Sequence, residues 1–89
     1  MVLVKRIVLD VLKPHQPNAL EFSQAIAGVG DDYRVNLIVI EVDKNTETIQ
    51  IEVEGSAIDY DAVHEAIKGM GGSLQRIDEV EVRNEALDQ

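Results

Sequence analysis

Cysteine is absent from this chain of 89 residues, and aromatic residues are almost absent. Without a thiol the protein has no disulfide, no thiolate metal site and no cysteine nucleophile. The three aromatic residues, Phe22, Tyr33 and Tyr60, are too few to dominate a core. The core must therefore be aliphatic and consist mainly of valine, isoleucine and leucine.

Basic residues are also few, since eight lysines and arginines stand against seventeen aspartates and glutamates, for a formal charge of −9. This charge repels nucleic acid and anionic lipid, so neither is expected as a partner. It also raises the local concentration of cations. A solvated acidic surface nevertheless explains the composition without a dedicated cation site.

Long apolar runs are missing as well, because no segment approaches the roughly 20 apolar residues of a membrane-spanning helix. The first segment, "MVLVKRIVLDVLK", carries charges within its apolar run and lacks a small-residue cleavage site, which indicates a strand and not a signal peptide. We expect a cytoplasmic protein with one domain over residues 1–84. The tail, residues 85–89, is expected to be disordered or ordered only by a partner.

The apolar residues that are present follow two different periods. From Val2 to Lys13 they alternate, which predicts the first strand. Two helices are predicted from apolar residues at steps of three and four: Ala19, Phe22, Ile26 and Val29 in the first, and Tyr60, Val63, Ile67 and Met70 in the second. Pro17 is expected in the first turn of the first helix, and Asn18 and Asp59 are expected to cap the two helices.

Residues 33–42 and 47–54 are predicted strands that flank a turn at residues 43–46, the pattern of a β-hairpin. The last strand lies within residues 73–83, where the apolar residues do not share one parity, which indicates a bulge or a fraying end. The order of these elements predicts an α+β fold of the ferredoxin-like βαββαβ type. Such a fold has an antiparallel sheet in the order 4-1-3-2, both helices on one face, and strand 2 at an edge.

Strand 2 is apolar on both of its parities, although edge strands are usually protected by charges or proline. One explanation is a long twisted strand that its own hairpin partly covers. We favour self-association, in which another subunit buries the open face or edge. The predicted interface consists of Ile38, Ile40 and Val42 on strand 2, extended by Val8 and Leu12 on the outward parity of strand 1.

Families that share this fold can be tested by the residues that they need. A heavy-metal chaperone needs cysteines, and this chain has none. An RNA-recognition module needs aromatic residues on the central strands, and strands 1 and 3 contain none. Acylphosphatase-like chemistry needs an arginine in a glycine-rich first loop, which here is "KPHQP", and "GVGDD" lacks the ending of a phosphate loop. The serines and histidines form no recognisable triad, and His64 lies on the polar side of the second helix.

His15 stands between two prolines at the end of strand 1. In the predicted topology it lies at the same end of the sheet as Asp43 and Glu47. One imidazole and two carboxylates can bind a divalent cation such as calcium or magnesium. Alternatively, His15 is the polar tip of a rigid turn and the two acidic residues simply belong to the hairpin.

Acidic residues on strands 1 and 4 form a second candidate cluster, Asp10, Asp78 and Glu79. Ion pairs with Arg6 and Arg76 would explain them without any ligand. Salt bridges between subunits are an intermediate explanation.

Four segments carry a recognisable pattern: "RIVLDVLKPHQP" at residues 6–17, "VDKNTETIQIEVEG" at 42–55, "IDYDAVHEAIKGMGGS" at 58–73 and "IDEV" at 77–80. Together they resemble the small, mainly archaeal family called domain of unknown function 211. The resemblance implies a ferredoxin-like fold and a homo-oligomer, and it implies no reaction. The family's motif positions in this sequence are Asp10, Lys13, Pro14, His15, Pro17, Asp43, Thr46, Gly55, Gly71, Gly72, Asp78 and Glu79.

Five of these motif positions are candidates for contact with a small ligand: Asp10, Lys13, His15, Asp78 and Glu79. Our leading hypothesis is a non-enzymatic homo-oligomeric module that binds a small ligand or a divalent cation at subunit junctions. A second hypothesis is a small enzyme whose site forms between subunits, with His15 as acid or base beside a carboxylate from a neighbour. A third is a small-molecule-sensing domain similar to ACT domains, which share this fold.

Overall fold

Two helices and four strands lie along residues 1–86, the part of the chain that the computed structural model describes. They are β1 (Val2–Pro14), α1 (Ala19–Ala27), β2 (Arg34–Val42), β3 (Thr46–Glu54), α2 (Tyr60–Gly69) and β4 (Ser73–Asn84). The strands form one antiparallel sheet in the order β2-β3-β1-β4. This order confirms the predicted ferredoxin-like fold. No helix within these residues is long and apolar enough to cross a membrane.

The core lies between the helices and one face of the two central strands. On that face, three pairs of residues stand opposite each other: Ile7 and Val53, Leu9 and Ile51, and Val11 and Ile49. The helices add fully buried side chains, Phe22 and Ile26 from α1 and Val63 and Ile67 from α2. Each such side chain contributes about 1.5–3 kcal/mol by leaving water. The core is aliphatic apart from one phenylalanine, as the composition predicted.

Both helices begin where the sequence predicts. The Asn18 side chain accepts a hydrogen bond from the backbone N–H of Glu21, whose carboxylate accepts one from the backbone of Asn18, which is a complete capping box. Asp59 caps α2 by accepting from the N–H of Ala62. Pro17 precedes the Asn18 cap, so the expectation that it occupies the first helical turn is wrong.

The irregular pattern of β4 results from bulges, as one of the two predicted explanations required. Gln75 and Asp78 have no partner on β1, because the register with β1 shifts at each of them. Each shift adds one residue to β4 and turns the strand by one position. Apolar residues three apart therefore all reach the helix side of the sheet, where Leu74, Ile77 and Val80 stand opposite Val11, Leu9 and Ile7.

The end of β4 stays attached to the start of β1. The backbone N–H of Glu85 donates to the carbonyl of Met1 at 2.8 Å, and the amino terminus donates back to the carbonyl of Glu85 at 2.6 Å. The Glu85 carboxylate also lies 2.7 Å from the ammonium of Lys5. The predicted tail thus begins with an anchored residue, while its residues 87–89 lie outside the described part of the chain.

A tight contact after α2 gives the first prediction. A Cβ atom at Gly72 would lie 2.8 Å from Cγ2 of Ile67 and 3.0 Å from Cζ of Phe22, whereas one at Gly69 would meet nothing within 4 Å. We expect Gly72→Ala to lower the free energy of unfolding by about 1–3 kcal/mol, because the core must shift. The control, Gly69→Ala, should be neutral or stabilise by up to about 1 kcal/mol, because alanine favours helix. Urea unfolding of both variants tests this, and equal effects would contradict it.

Candidate functional site

A buried ion pair lies at the end of the core, next to the pair formed by Val11 and Ile49. Lys13 follows Val11 by two residues on the helix side of β1, and the register with β3 places it directly opposite Glu47. Its side chain is fully buried, and its ammonium donates to Glu47 Oε1 at 2.9 Å and to the carbonyl of Pro14 at 2.8 Å. The same ammonium lies 5.8 Å from the centre of the Phe22 ring, within cation–π range.

His15 lies on the solvent side of this cluster and contacts Glu47. Its Nδ1 lies 2.9 Å from Glu47 Oε2, and its Nε2 lies 3.0 Å from the carbonyl oxygen of Lys44. The carbonyl oxygen and the ionised carboxylate both accept hydrogen bonds, so the imidazolium form of histidine, in which both ring nitrogens donate, satisfies both contacts. These contacts favour the protonated form of His15.

Charge and hydrogen bonding shift two pKa values in this cluster. The hydrogen bond to Glu47, followed by that to the Lys44 carbonyl, raises the pKa of His15 above its ordinary value. The hydrogen bonds from His15 and Lys13 lower the pKa of Glu47. Each carboxylate oxygen of Glu47 therefore has its own partner, Lys13 at Oε1 and His15 at Oε2.

Of the three predicted metal ligands, the structure brings His15 and Glu47 into contact. Asp43 is nearby, and its backbone N–H forms the turn bond to the carbonyl of Thr46 at 2.8 Å. Within residues 1–86, no three His, Cys, Asp or Glu side chains are grouped as a metal site would require. A divalent cation at Glu47 would also have to displace Lys13 and His15 from its carboxylate. The metal site stays a prediction that this geometry does not favour.

The other candidate ligand residues lie on the face of the sheet away from the helices. Asp10 stands opposite Arg76, whose guanidinium lies 2.9 Å from Asp10 and 2.5 Å from Asp78. Glu79 is bound by Arg6. The predicted ion pairs are therefore present. The five ligand candidates form two separate groups, because Lys13 lies on the helix side and His15 closes that same cluster.

Arg6 also explains an unexpected buried residue. Its guanidinium bridges Glu79 of β4 and Glu52 of β3, and lowers the pKa of Glu52 by a hydrogen bond. Both glutamates are the cross-strand neighbours of Val8, which is only 5% exposed although no helix covers that face. The ion pairs of Arg6 with these two glutamates cover Val8, so this predicted interface residue is not available at the surface of a single chain.

Strand β2 presents its apolar side chains to solvent on both faces. Ile38, Val39, Ile40 and Val42 are 42–63% exposed. A bulge between Val39 and Glu41 leaves Ile40 without a partner on β3 and places Val42 opposite Glu47. Val42 has therefore moved to the helix side, away from Ile38, which the regular alternation in the sequence did not indicate.

The predicted patch across the open face is also interrupted. Gln50 and Asp10 are the next residues across the sheet from Ile38, and Thr48 separates Leu12 from Glu41. Polar side chains thus separate Leu12 from Ile38. The predicted patch is therefore not continuous from β1 to the β2 edge.

The opposite edge of the sheet carries an apolar strip that the sequence analysis missed. Ile77, Val80 and Val82 of β4 are 46–50% exposed. They lie on the helix side, but the ten-residue helix α2 covers only part of the longer β4. These residues follow one another at steps of three and two. With the bulges of β4 taken into account, that spacing places them on one face and could have revealed the strip from the sequence.

A shallow depression of about 440 Å³ lies at the other end of the sheet and was also not expected. Three cations and three carboxylates line it: Lys5, Arg6, Arg34, Asp32, Glu54 and Glu81. Lys5 donates to the carbonyl of Ser56 at 2.7 Å, and Asp32 accepts from the N–H of Ser56 at 3.1 Å. Lys5 and Asp32 therefore hold the segment after β3.

Removing Glu47 tests the buried pair. Glu47→Leu leaves the buried ammonium of Lys13 without its counter-ion, and we expect the free energy of unfolding to fall by about 3 kcal/mol. The double variant Lys13→Met, Glu47→Leu should recover most of this loss, because it removes the charge together with its partner. Chemical denaturation of the three proteins measures both effects. A double variant as unstable as Glu47→Leu would contradict the account.

Titration of His15 tests its charge. Because its pKa in the folded state is raised, the stability that it contributes is complete below about pH 6.5 and is lost as the pH rises through the folded value. The contribution of Glu47 has the opposite sign and is lost only as the pH falls through its lowered pKa. We expect NMR of the imidazole to give a midpoint above about 6.5, which Glu47→Gln lowers. His64→Gln assigns the second histidine, and a midpoint that Glu47→Gln leaves unchanged would contradict the pairing.

Comparison with known proteins connects this geometry to a family. The sequence model of domain of unknown function 211, described as uncharacterized ArCR, matches residues 5–89. The uncharacterized protein MJ0319 of Methanocaldococcus jannaschii is 35% identical over 86 residues, which are 97% of this chain and 89% of that protein. The matched range includes the buried ion pair and both apolar edges. The chain therefore belongs to the domain of unknown function 211 family.

Proposed function

We propose that the protein is a non-enzymatic module that works as a homo-oligomer, in which copies of the chain cover one another's apolar sheet edges. The observation that carries this proposal is strand β2. It lies at the edge of the sheet, and within residues 1–86 only β3 pairs with it. Four of its nine residues are large, apolar and substantially exposed.

The composition of β2 supports association with a second copy. Edge strands that remain free are usually short or carry lysine, proline or inward-pointing charges. The sequence of β2, "RVNLIVIEV", is nine residues long, contains neither lysine nor proline, and has its two charges near the ends. An apolar edge of this kind in a free monomer would promote uncontrolled pairing. A specific assembly removes that hazard.

The polar clusters support a structural role in place of a catalytic one. In the buried cluster, Glu47 is occupied by Lys13 and His15, and both ring nitrogens of His15 are bound. On the other face, each candidate carboxylate has an arginine partner. We propose that these groups hold the sheet in register and that assembly needs no divalent cation. We further propose a cytoplasmic location, because small secreted domains usually depend on disulfides.

Solution mass tests this function. We expect light scattering to give the wild type a multiple of 9.8 kDa and to give Ile40→Asp a mass close to 9.8 kDa, because a carboxylate at the edge would be buried without a partner. Leu20→Asp is the matched control, since Leu20 on α1 is 65% exposed and Ile40 is 60% exposed. A chelator should leave the wild-type mass unchanged.

Four outcomes would contradict parts of the proposal. A monomeric wild type at all concentrations would overturn self-association. An unchanged mass for Ile40→Asp, or an equal loss for Leu20→Asp, would move the interface away from β2. Dissociation by the chelator would restore the metal hypothesis and make His15, Asp43 and Glu47 its first candidates.

A further inference from the structure

Strand β4 forms the second edge of the sheet. Within residues 1–86 only β1 pairs with it, so its outer side has no neighbouring strand there. Two bulges, at Gln75 and Asp78, interrupt the first half of β4, and bulges of this kind protect an edge from pairing. From Glu79 to Asn84 β4 is regular, because the one further register shift adds a residue, Lys5, to β1. This regular half is therefore the part of the edge that another strand can join.

The side chains of the regular half alternate between the two faces of the sheet. Val80 and Val82 lie on the helix side, and both are 50% exposed. Glu79, Glu81 and Arg83 alternate with them on the open face. An extended segment that joins such an edge gains affinity from backbone hydrogen bonds and specificity from the side chains that stand opposite each other.

Glu81, at the centre of this half, has no ion pair within residues 1–86. Arg6 stands opposite it in the register, but the guanidinium of Arg6 pairs with three other glutamates. An unpaired carboxylate between two half-exposed valines favours a basic residue on an incoming strand, flanked by apolar residues. The formal charge of −9 attracts a basic segment at long range as well.

We propose that the regular half of β4 binds an extended segment of another protein in which apolar and basic residues alternate. The segment lies antiparallel to β4, as every pair of neighbouring strands in this sheet does. From its amino end it places an acidic residue opposite Arg83, apolar residues beside the two valines, and basic residues opposite Glu81 and Glu79. The pairing satisfies backbone groups along about 20 Å. This inference goes beyond the proposed assembly through β2, which leaves the β4 edge free.

A second copy of β4 fits this edge less well than a basic segment. A two-fold axis at Val80 would place Glu79 opposite the partner's Glu81, and it would do so twice. An axis at Glu81 would place its two copies opposite each other. An axis at Val82 would shorten the paired region and bring Glu79 opposite the partner's Glu85. Like charges that stand opposite each other destabilise strand pairing.

A synthetic peptide tests the site. The probe is fluorescein-labelled threonine-glutamate-valine-lysine-valine-lysine-threonine, and fluorescence anisotropy measures its binding. We expect Glu81→Lys to weaken binding about tenfold, because lysine then stands opposite lysine. The matched control, Glu65→Lys on α2, makes the same change in net charge at a side chain that is 74% exposed. It should leave binding within about twofold of the wild type.

Two further peptides separate charge from backbone pairing. A peptide with glutamate and lysine exchanged should bind Glu81→Lys more tightly than it binds the wild type. N-methyl groups on both valines, or on both lysines, block opposite edges of an extended peptide, because successive residues direct their N–H groups to opposite sides. We expect one methylated peptide to lose binding by at least about tenfold and the other to retain it.

Ile40→Asp separates this site from the β2 edge. Its β4 is unaltered, so it should bind the peptide within about twofold of the wild type. Loss of binding in Ile40→Asp would place the peptide on β2, and binding seen only in Ile40→Asp would mean that another copy covers β4. Either result overturns the site.

The remaining outcomes are equally direct. A loss in Glu81→Lys that Glu65→Lys does not share, with tighter binding of the exchanged peptide, supports the site. Absence of binding to the wild type, equal losses in the two charge variants, or equal effects of the two methylated peptides overturn it. Self-association is decided separately by the solution mass, whichever way the peptide measurements turn out.

Discussion

The register between β1 and β3 is the constraint on which the rest of this structure depends. In this register Val11 stands opposite Ile49, and Lys13, two residues further along β1, stands opposite Glu47 on the same face. A lysine can be fully buried there because its counter-ion arrives at the same point of the neighbouring strand. A slip of β3 by one residue would leave the buried ammonium of Lys13 unpaired and would turn Ile49 and Ile51 to solvent. The ion pair thus penalises every register except the native one.

The same register organises the opposite face of the sheet. There it arranges acidic residues of three strands around a few arginines, and Arg6 connects β1 to both of its neighbours. The carboxylates that first suggested a ligand site are paired with arginines. The ion pairs of Arg6 also cover Val8, an apolar residue on this charged face.

The two edges of the sheet differ from its centre. The core of this small domain is built from β1, β3 and the inner faces of two short helices, which leaves β2 and β4 only partly covered. A chain of this length gains limited stability from its own core. Association along an edge would extend both the backbone hydrogen bonding and the buried apolar surface, which relates the small size of the chain to its exposed edges.

Local patterns in the sequence were sufficient for the elements of this fold. Alternation identified the strands, steps of three and four identified the helices, and Asn18 and Asp59 capped them as expected. These signals are interactions between residues close in the chain, so they survive without knowledge of the tertiary structure. The order of the elements then left the ferredoxin-like sheet as the natural topology, and the uneven parity of β4 already indicated a bulge.

Other features were decided only by tertiary structure. The sequence placed His15 near Glu47 but did not show that Lys13 would be buried on the other side of Glu47. It also grouped Val42 with Ile38 on one face, because the bulge at Ile40 leaves no local signal. It also joined Val8 to Ile38, although Asp10 and Gln50 interrupt the path between them. These contacts join residues distant in the chain. Their pairing is settled by the register and bulges of the whole sheet, which minimise buried unpaired charge and exposed apolar surface together.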